Sequence, residues 1–525
     1  MSEHATPGTD VLSERHGRMS SGERWALVFI LAVGAIARFW GLGSRSLWLD
    51  EVFTIGFTKG TFRDILVNTL RDRGPLPFGY VFEWLMLKTG ISDWRVRVPS
   101  AVFGTLGVGA IFLLGRVVLG GARGGLLAAL LLGGFAFHHY YSQEARPYAL
   151  FMTATVFATW LLCRALESAK AKHWLWFLAI CFPILFTVYF SVFWVAGNFF
   201  FGVYWLWRNP LRLSNEARRK QVWWLVGATG LLAVAFLTWV AASYHYFAKY
   251  GGTKPPIPAL ALAIYPFVSL WQFLSSDWIL FPIFYFIVVL AGIALVRGRA
   301  ICTRFALPGV GEISETEERP QPFRLVPLFY VATIMLLTPL TFFATRANHF
   351  LHPRFLSAAL PFVLLLFVQG LGAVQGAMLR RGWERAARWG LPAIIVIAVA
   401  SQGWKLVALH NQEKQNWRAA CEYLVNNGTE YDLYVGGIND TFICMEYYFF
   451  KAGAQRTILN DVKNLDRLEE VCAKPNRIWY ATAYYRSDES GPLFYDYLDR
   501  NFRLVRKYPG LEGNVLIFER SARRR

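Results

Sequence analysis

Residues 326–343 read VPLFYVATIMLLTPLTFF, a run without a charged side chain. A helix needs roughly 17 to 25 apolar residues to cross about 30 Å of hydrocarbon, so this run predicts a membrane-spanning helix. Residues 392–405 and their flanks have the same character. The whole chain has 525 residues, of which 55% are hydrophobic and only 17% charged. That composition is too apolar for a soluble protein of this length and predicts an integral membrane protein.

Hydrophobic runs of this kind predict about eleven spans along the chain. The segment from Trp25 to Leu42 lacks a small-residue cleavage pattern, so it is interpreted as an uncleaved first span and not as a signal peptide. The apolar segment Pro75–Gly90 is too short to cross and is predicted to lie in the membrane interface. The predicted spans start near Trp25, Val98, Leu126, Leu150, Trp174, Ser191, Val222, Trp278, Leu325, Phe355 and Trp389.

The distribution of basic residues predicts which side of the membrane each segment occupies. The net charge is +19, from 54 Lys and Arg against 35 Asp and Glu, yet residues 411–525 hold 17 against 16. The excess therefore belongs to the preceding part, where it collects in segments 208–220, 297–304 and 380–388, as cytoplasmic loops do. An odd number of spans then puts the N-terminus in the cytoplasm and the C-terminal tail outside. Nucleic-acid binding is disfavoured, because the aromatic residues lie within the spans.

The predicted fold class is an all-α polytopic membrane protein with a small C-terminal extracytoplasmic α/β domain. Its predicted parts are a cytoplasmic tail over 1–24, a transmembrane domain over 25–410 and the α/β domain over 411–525. The stretch 300–323, rich in Pro, Gly and Glu, is predicted to be a cytoplasmic loop.

Short alternating elements distinguish the C-terminal part from the spans. The pattern predicts helices over 417–425 and 494–498, and strands over 431–435, 477–480 and 515–518. The six cysteines of the chain lack the spacing of a metal site. One disulfide among the three cysteines of the tail is left open.

Two adjacent carboxylates end the stretch GSRSLWLDE at residues 43–51, directly after the first span on the predicted outer face. Asp50 and Glu51 can cap the next helix or lie solvated among lipid headgroups. Alternatively, one of them is a general base, since partial burial raises a carboxylate pKa toward the useful range.

Three further polar clusters fall on the same predicted side: RDRGPLPF at 71–78, YSQEARPY at 141–148 and HFLHPR at 349–354. Orientation in the membrane does not require arginines on the outer face. Guanidinium groups match phosphate oxygens in a bidentate manner, so a phosphate ligand would explain them. The structural alternative is that Arg146 pairs with Glu144 or that these arginines reach the headgroups.

Four short segments of the chain together resemble a known family. They are SLWLDE at 46–51, PLPF at 75–78, RVPSA at 97–101 and SQEARPYAL at 142–150, and HPRF at 352–355 adds a fifth, more general match. Over residues 38–166 the chain resembles the bacterial GT-C glycosyltransferases, the group that includes protein O-mannosyltransferases and the aminoarabinose transferase acting on lipid A. It departs from many relatives at 74–78 and 188–190, where their histidines are missing.

The resemblance implies inverting transfer of a hexosyl or pentosyl group from a polyprenyl-phosphate donor to an envelope lipid, glycan or protein. The reaction would take place at the outer face of a bacterial inner membrane. Asp50 would be the base, and Glu51 or Glu144 would orient acceptor or sugar. The residues predicted to bind donor phosphate or substrate are Arg71, Arg73, Arg146, Tyr148, His352 and Arg354. The lipid-linked sugar is the only expected co-reactant, and a divalent cation is left open because some relatives use one.

Two other classes of protein compete with this interpretation. A transporter or flippase for a lipid-linked substrate would use the same arginines, but it does not explain the paired carboxylates, and the chain has no internal repeat. A non-catalytic scaffold would require all four motifs to be accidental.

Overall fold

The structure is a computed structural model that describes residues 19–71, 76–209, 214–249, 258–274, 280–297, 323–345, 352–437, 440–462, 464–485 and 492–520. The chain divides into two compact units. We call Met1–Trp40, Phe62–Phe82 and Pro99–Leu406 the helical unit. The sheet unit comprises Gly41–Thr61, Glu83–Val98 and Val407–Arg525.

Helices account for most of the described chain up to residue 410. They are α1 Ser21–Phe39, α2 Leu49–Thr58, α3 Phe62–Arg71, α4 Val81–Leu87, α5 Val98–Leu119, α6 Ala122–Gly134, α7 Ala136–Ser142, α8 Tyr148–Ser168, α9 Ala171–Leu185, α10 Ser191–Arg208, α11 Asn215–Lys249, α12 Ala259–Phe273, α13 Leu280–Val296, α14 Val326–Thr345, α15 Leu360–Arg380 and α16 Glu384–His410. Short 3-10 helices cover Pro77–Tyr80, Arg95–Arg97 and Pro353–Ala359.

Five helical segments among the described residues are long and apolar enough to cross a membrane. They are Arg95–Leu119, Tyr148–Ser168, Asn215–Tyr244, Pro353–Arg380 and Glu384–His410. Shorter apolar helices occupy Ala122–Gly134, Ala171–Leu185, Ala259–Phe273, Phe281–Val296 and Val326–Thr341. The helical class is thus confirmed, and the number of about eleven spans stays a prediction. The predicted loop 300–323 lies outside the described residues except for Phe323.

Helix α1 corresponds to the predicted first span, although it is not one of the five segments. It starts with a capping box, in which Ser20 Oγ accepts from the Glu23 amide at 3.1 Å and Glu23 accepts from the Ser20 amide at 2.9 Å. Trp25, Phe29 and Ile36 lie exposed along it. An outward apolar face of this kind suits a hydrocarbon environment.

The core of the helical unit consists of aliphatic and aromatic side chains, and some of its buried polar groups are hydrogen-bonded to one another. The most apolar window of Pro353–Arg380 is 94% buried, so α15 runs through the centre of this unit. Tyr330 and Phe362 stack with ring centroids 4.5 Å apart. Gln221 accepts from the buried Trp174 indole at 2.7 Å and donates to the Ala165 carbonyl at 2.8 Å. These bonds remove the cost of burying an amide.

The C-terminal part of the sheet unit contains a five-stranded mixed sheet. Its elements are α17 Trp417–Asn427, β1 Leu433–Gly436, α18 Phe442–Lys451, β2 Thr457–Leu459, α19 Leu465–Cys472, β3 Ile478–Thr482, α20 Pro492–Asn501, β4 Arg503–Tyr508 and β5 Val515–Arg520. The strand order is β2-β1-β3-β5-β4. Strands β2 and β3 pair parallel with β1, and β5 pairs antiparallel with β3 and β4. The predicted strands correspond to β1, β3 and β5.

The three cysteines of this part do not form the disulfide that the sequence left open. Cys421, Cys444 and Cys472 are buried and free. They lie on three different helices, α17, α18 and α19, and each fills a place in the core. A small buried thiol behaves there as an apolar side chain.

Candidate functional site

Asp50 and Glu51 occupy the first turn of α2, but they have different surroundings. Asp50 is half-buried, whereas the Glu51 carboxylate is fully buried. Glu51 Oε2 also accepts from the Trp48 amide at 3.3 Å, so the capping role considered from the sequence applies to Glu51. The more accessible carboxylate of the pair is Asp50.

Arg97 neutralises Glu51 inside the sheet unit. Its Nε donates to Glu51 Oε1 at 2.7 Å and its Nη2 donates to Oε2 at 2.6 Å, a bidentate ion pair. Both side chains are buried, at 1% and 0% relative exposure. Arg97 belongs to the RVPSA motif, but the sequence does not predict it as a site residue. Its partner lies 46 positions away, and no local pattern links the two.

The surroundings of Asp50 include a phenol and a thiol. Burial raises the pKa of Tyr484 above its ordinary value, and the charge of Asp50 raises it further. Burial likewise raises the pKa of the Cys444 thiol, and the charge of Asp50 adds to this increase. The carboxylate of Asp50 therefore adds negative charge to the surroundings of both groups. The Tyr484 hydroxyl accepts from Gln415 Nε2 at 2.9 Å, which helps to hold this phenol in place.

Asp93 is the centre of a second charged cluster in the sheet unit. Its carboxylate accepts from Tyr447 at 2.6 Å, from Lys451 at 2.7 Å and from Arg418 at 2.5 Å. Burial by itself would raise the pKa of Asp93, but the hydrogen bonds from Lys451, Tyr447 and Arg418 lower it below its ordinary value. The cluster therefore holds Asp93 as a carboxylate.

This lowered pKa predicts how the stability of the sheet unit varies with pH. A group whose pKa is lower in the folded state stabilises the fold above its unfolded pKa, about 3.9, and this contribution is lost as the pH falls through the folded pKa. We expect Asp93→Asn to lower the thermal midpoint at pH 6 and this difference to shrink below about pH 4. Asp461→Asn, in an exposed pair with Arg467, is the matched control and should show no measurable difference. A difference for Asp93→Asn that is independent of pH would contradict this assignment.

In the helical unit, the predicted motif 142–148 forms the turn between α7 and α8. Glu144 is fully buried and Arg146 is buried at 8% relative exposure. The turn is fixed through its backbone, because the Arg146 amide donates to the Glu144 carbonyl at 2.7 Å and Ser100 Oγ donates to the Arg146 carbonyl at 3.2 Å. Gln143 Nε2 donates to the carbonyls of Arg38 and Trp40 at the end of α1, at 3.1 and 2.9 Å.

Tyr148, His352 and Arg354 come from two distant motifs, and the helical unit brings them together. The Arg354 guanidinium carbon lies 5.9 Å from the centroid of the Tyr148 ring and 5.7 Å from that of Phe355. His352 Nδ1 accepts from the Arg354 amide at 3.2 Å. The His352 carbonyl accepts from the Tyr265 hydroxyl at 2.7 Å. We call Tyr148, His352, Arg354 and Phe355 the arginine cluster.

Phe190 adds an apolar wall to the arginine cluster. Its ring stacks on Phe355 with centroids 4.7 Å apart and planes inclined by 26°. Phe190 belongs to the Val188–Phe190 segment at which the sequence departs from many relatives. A charged group flanked by aromatic rings is less hydrated and interacts more strongly with an anion than it would in water.

The side chains of the two remaining predicted arginines lie outside the described part of the structure. Arg71 ends α3, where only the backbone is described, and Arg73 lies outside the described residues. Within the described ranges, no three His, Cys, Asp or Glu side chains are grouped as metal ligands. Glu144 is buried in the helical unit, and Glu51 is buried in the sheet unit.

The family model for dolichyl-phosphate-mannose-protein mannosyltransferases matches residues 73–239. The predicted resemblance to protein O-mannosyltransferases is confirmed over these residues. The matched segment covers about a third of the chain and contains three of the motifs that carried the resemblance, PLPF, RVPSA and SQEARPYAL. It also contains Glu144, Arg146 and Tyr148 of the turn between α7 and α8.

Three solved structures of GT-C glycosyltransferases are similar to this chain at low identity. ArnT from Cupriavidus metallidurans, bound to undecaprenyl phosphate, is 13% identical with a TM-score of 0.49, over 96% of this chain and 99% of that chain. The S. cerevisiae Pmt1-Pmt2 complex, bound to its sugar donor, is 16% identical with a TM-score of 0.36, over 46% and 36%. The arabinosyltransferase EmbB from Mycobacterium smegmatis is 13% identical with a TM-score of 0.37, over 80% and 45%. No curated protein matches the chain.

Proposed function

We propose that this protein is an inverting glycosyltransferase that moves a hexosyl or pentosyl group from a polyprenyl-phosphate donor to an envelope lipid, glycan or protein. The observation that carries the proposal is the arginine cluster, in which a buried guanidinium lies beside Tyr148 of the family-matched turn. A buried cation with aromatic walls is suited to an anionic headgroup with an apolar tail. The proposed location is the bacterial inner membrane, with the N-terminus cytoplasmic and the C-terminal domain outside.

The proposed chemistry needs positive charge where the phosphate departs. As the bond between the anomeric carbon and the phosphate oxygen breaks, the electron pair leaves with the phosphate and its negative charge grows. Arg354 and Arg146 are assigned to this charge, and Arg71 or Arg73 remains a further candidate. Fixed charges in a water-poor site stabilise such a transition state more than they would in bulk water. Phosphate is a good leaving group, so a general acid is not required.

Asp50 is assigned as the general base. It would accept the proton of the acceptor hydroxyl or amine while the acceptor atom forms a bond to the anomeric carbon on the face opposite the phosphate. That attack inverts the anomeric configuration. Glu144 is assigned to orient sugar or acceptor, and the same role for Glu51 stays a prediction. A divalent cation between carboxylate and phosphate stays open in this scheme.

The donor-binding part of the proposal is tested with Arg354→Ala and Arg146→Ala. Each change should weaken binding of a polyprenyl-phosphate sugar by about 1–3 kcal/mol, the value of a hydrogen bond to a charged group. That corresponds to roughly 5- to 150-fold in Kd. Binding can be measured in detergent by quenching of the intrinsic tryptophan fluorescence. Transfer by the wild-type protein is followed by mass spectrometry of lipid and glycan fractions.

Two controls separate charge from fold. Arg354→Lys keeps the charge but loses the planar group beside Tyr148, so it should bind with intermediate affinity. Arg388→Ala, in an exposed pair with Glu384, should bind as the wild type does. Unchanged binding in both Arg354→Ala and Arg146→Ala would mean that these arginines are structural. Movement of the lipid across the membrane without any sugar transfer would favour the transporter instead.

A further inference from the structure

Two arginines bind consecutive backbone carbonyls in the segment that leads to Asp50. Arg97 donates to the carbonyls of Leu42, Arg45 and Ser46 at 3.1, 2.9 and 2.9 Å. Arg418, on α17, donates to the carbonyls of Gly43, Ser44 and Arg45 at 3.0, 2.6 and 3.2 Å. All five carbonyls from Leu42 to Ser46 are therefore bound by guanidinium groups. We call residues 42–49 the approach segment.

The amides of the approach segment are held by side-chain acceptors. The Ser46 amide donates to Glu413 at 2.8 Å and the Leu47 amide donates to the Tyr448 hydroxyl at 2.6 Å. The Trp48 amide donates to Glu51 at 3.3 Å and the Leu49 amide donates to Gln415 at 3.2 Å. Four consecutive amides thus have side-chain partners, and the last of them precedes Asp50 directly.

Most of these partners come from the C-terminal part of the chain. Glu413, Gln415, Arg418 and Tyr448 all lie more than 360 positions from the segment they hold. Lys414, which is fully buried, adds its ammonium group 5.8 Å from the centroid of the Trp48 ring. The approach segment is thus held mainly by residues beyond 410, together with Arg97 and Glu51.

Tyr448 uses the full hydrogen-bonding capacity of its hydroxyl. The oxygen accepts from the Leu47 amide at 2.6 Å and from Ser46 Oγ at 3.1 Å, and the hydroxyl donates to Asp93 at 3.4 Å. It is buried at 3% relative exposure. Removal of this oxygen leaves the Leu47 amide buried without its acceptor, which disfavours the observed backbone conformation.

We propose that Tyr448, Arg418 and Gln415 are positioning residues for Asp50. They fix the approach segment, and through it the first turn of α2, so that the Asp50 carboxylate stays in one orientation. The inference rests on the proposed function, because it takes Asp50 as the general base. Small displacements of a catalytic group reduce the rate without weakening substrate binding, and about 1 Å of misplacement can cost about 100-fold.

The test compares Tyr448→Phe with Tyr447→Phe. Both changes remove a phenolic hydroxyl that is bonded to Asp93, but only Tyr448 also bonds the approach segment. Tyr448→Phe should lower kcat by about 10- to 100-fold while the donor KM changes less than about twofold. Hydrogen exchange of the amides 46–49 should become faster. Tyr447→Phe should keep the wild-type kcat and the wild-type exchange of these amides.

Arg418→Lys provides a second variant in case Tyr448→Phe folds poorly. It keeps a cation beside Asp93 but loses the fork that binds three carbonyls. It should therefore show the same fall in kcat and the same faster exchange at 42–49, with an unchanged donor KM.

Different failures have different signatures. Faster exchange with a wild-type kcat in Tyr448→Phe and Arg418→Lys would overturn the positioning role, and so would unchanged exchange in both. An equal loss of kcat in Tyr447→Phe would overturn it as well, since the effect would then come through Asp93. Wild-type protein without any sugar transfer would refute the proposed function, whereas faster exchange in Tyr448→Phe would still support the hold on the approach segment.

Discussion

Asp50→Asn is expected to give a folded protein that binds the lipid donor normally but transfers sugar about 10²- to 10⁴-fold more slowly, the usual contribution of a general base. Asparagine has nearly the same shape as aspartate and can keep hydrogen bonds to neighbouring groups. It cannot accept the acceptor proton, because an amide is not a base at neutral pH. Turnover is measured by mass spectrometry of the product, and donor binding by tryptophan fluorescence.

The control for Asp50→Asn is Asp466→Asn. Asp466 lies in the first turn of α19, where it follows the leucine that starts the helix, as Asp50 does in α2. Both changes remove a negative charge that favours a helix N-terminus. If Asp50 only stabilised its helix, the two variants would behave alike. Full turnover in Asp50→Asn together with an inactive Glu144→Gln would mean that Glu144 is the general base. The proposed glycosyl transfer would still hold.

The helical part of the fold follows from the sequence because each span is specified locally. An apolar run as long as the bilayer is thick has few alternatives to a helix. Helix α12, Ala259–Phe273, was nevertheless missed. Its fifteen residues include Pro266, so both its length and its proline disfavour a prediction of a span.

The strands of the C-terminal sheet were predicted where they are buried. Strand β3, Ile478–Thr482, is buried along its whole length and its sequence IWYAT shows this. Strand β4 at the sheet edge reads RLVRKY and is mostly exposed, so its composition resembles a loop. Strand β2 has only three residues, which is too short for a periodic pattern.

The candidate site was predictable only in part, because neighbouring residues in sequence differ in their surroundings. Successive residues of a helix point about 100° apart, so Asp50 and Glu51 cannot share one environment. The sequence showed two adjacent carboxylates, but it did not show that Arg97 forms an ion pair with Glu51 and not with Asp50. The contribution of Arg418 and Tyr448 was not visible either, because α17 and α18 meet the approach segment only in the folded chain.

Glu51→Gln is expected to lower the thermal midpoint strongly, because it leaves the Arg97 charge buried without its counter-ion. Removing one partner of a buried ion pair typically costs about 3–5 kcal/mol in the free energy of unfolding. Arg97 would still bind three carbonyls of the approach segment, so the variant should fold at low temperature. The midpoint is measured by intrinsic tryptophan fluorescence in detergent during heating.

Glu216→Gln is the matched control for Glu51→Gln, since it breaks an exposed ion pair with Lys220 and should leave the midpoint unchanged. Comparison with Asp50→Asn then separates the two carboxylates by their function. Substitution of the base should reduce turnover and leave the thermal midpoint unchanged. Substitution of Glu51, the partner of Arg97, should lower the midpoint, and it should reduce turnover only indirectly, because Arg97 also holds the backbone of the approach segment. If Glu51→Gln kept the wild-type midpoint but raised the acceptor KM, Glu51 would instead contact the acceptor. The ion pair with Arg97 would then not be the main role of Glu51.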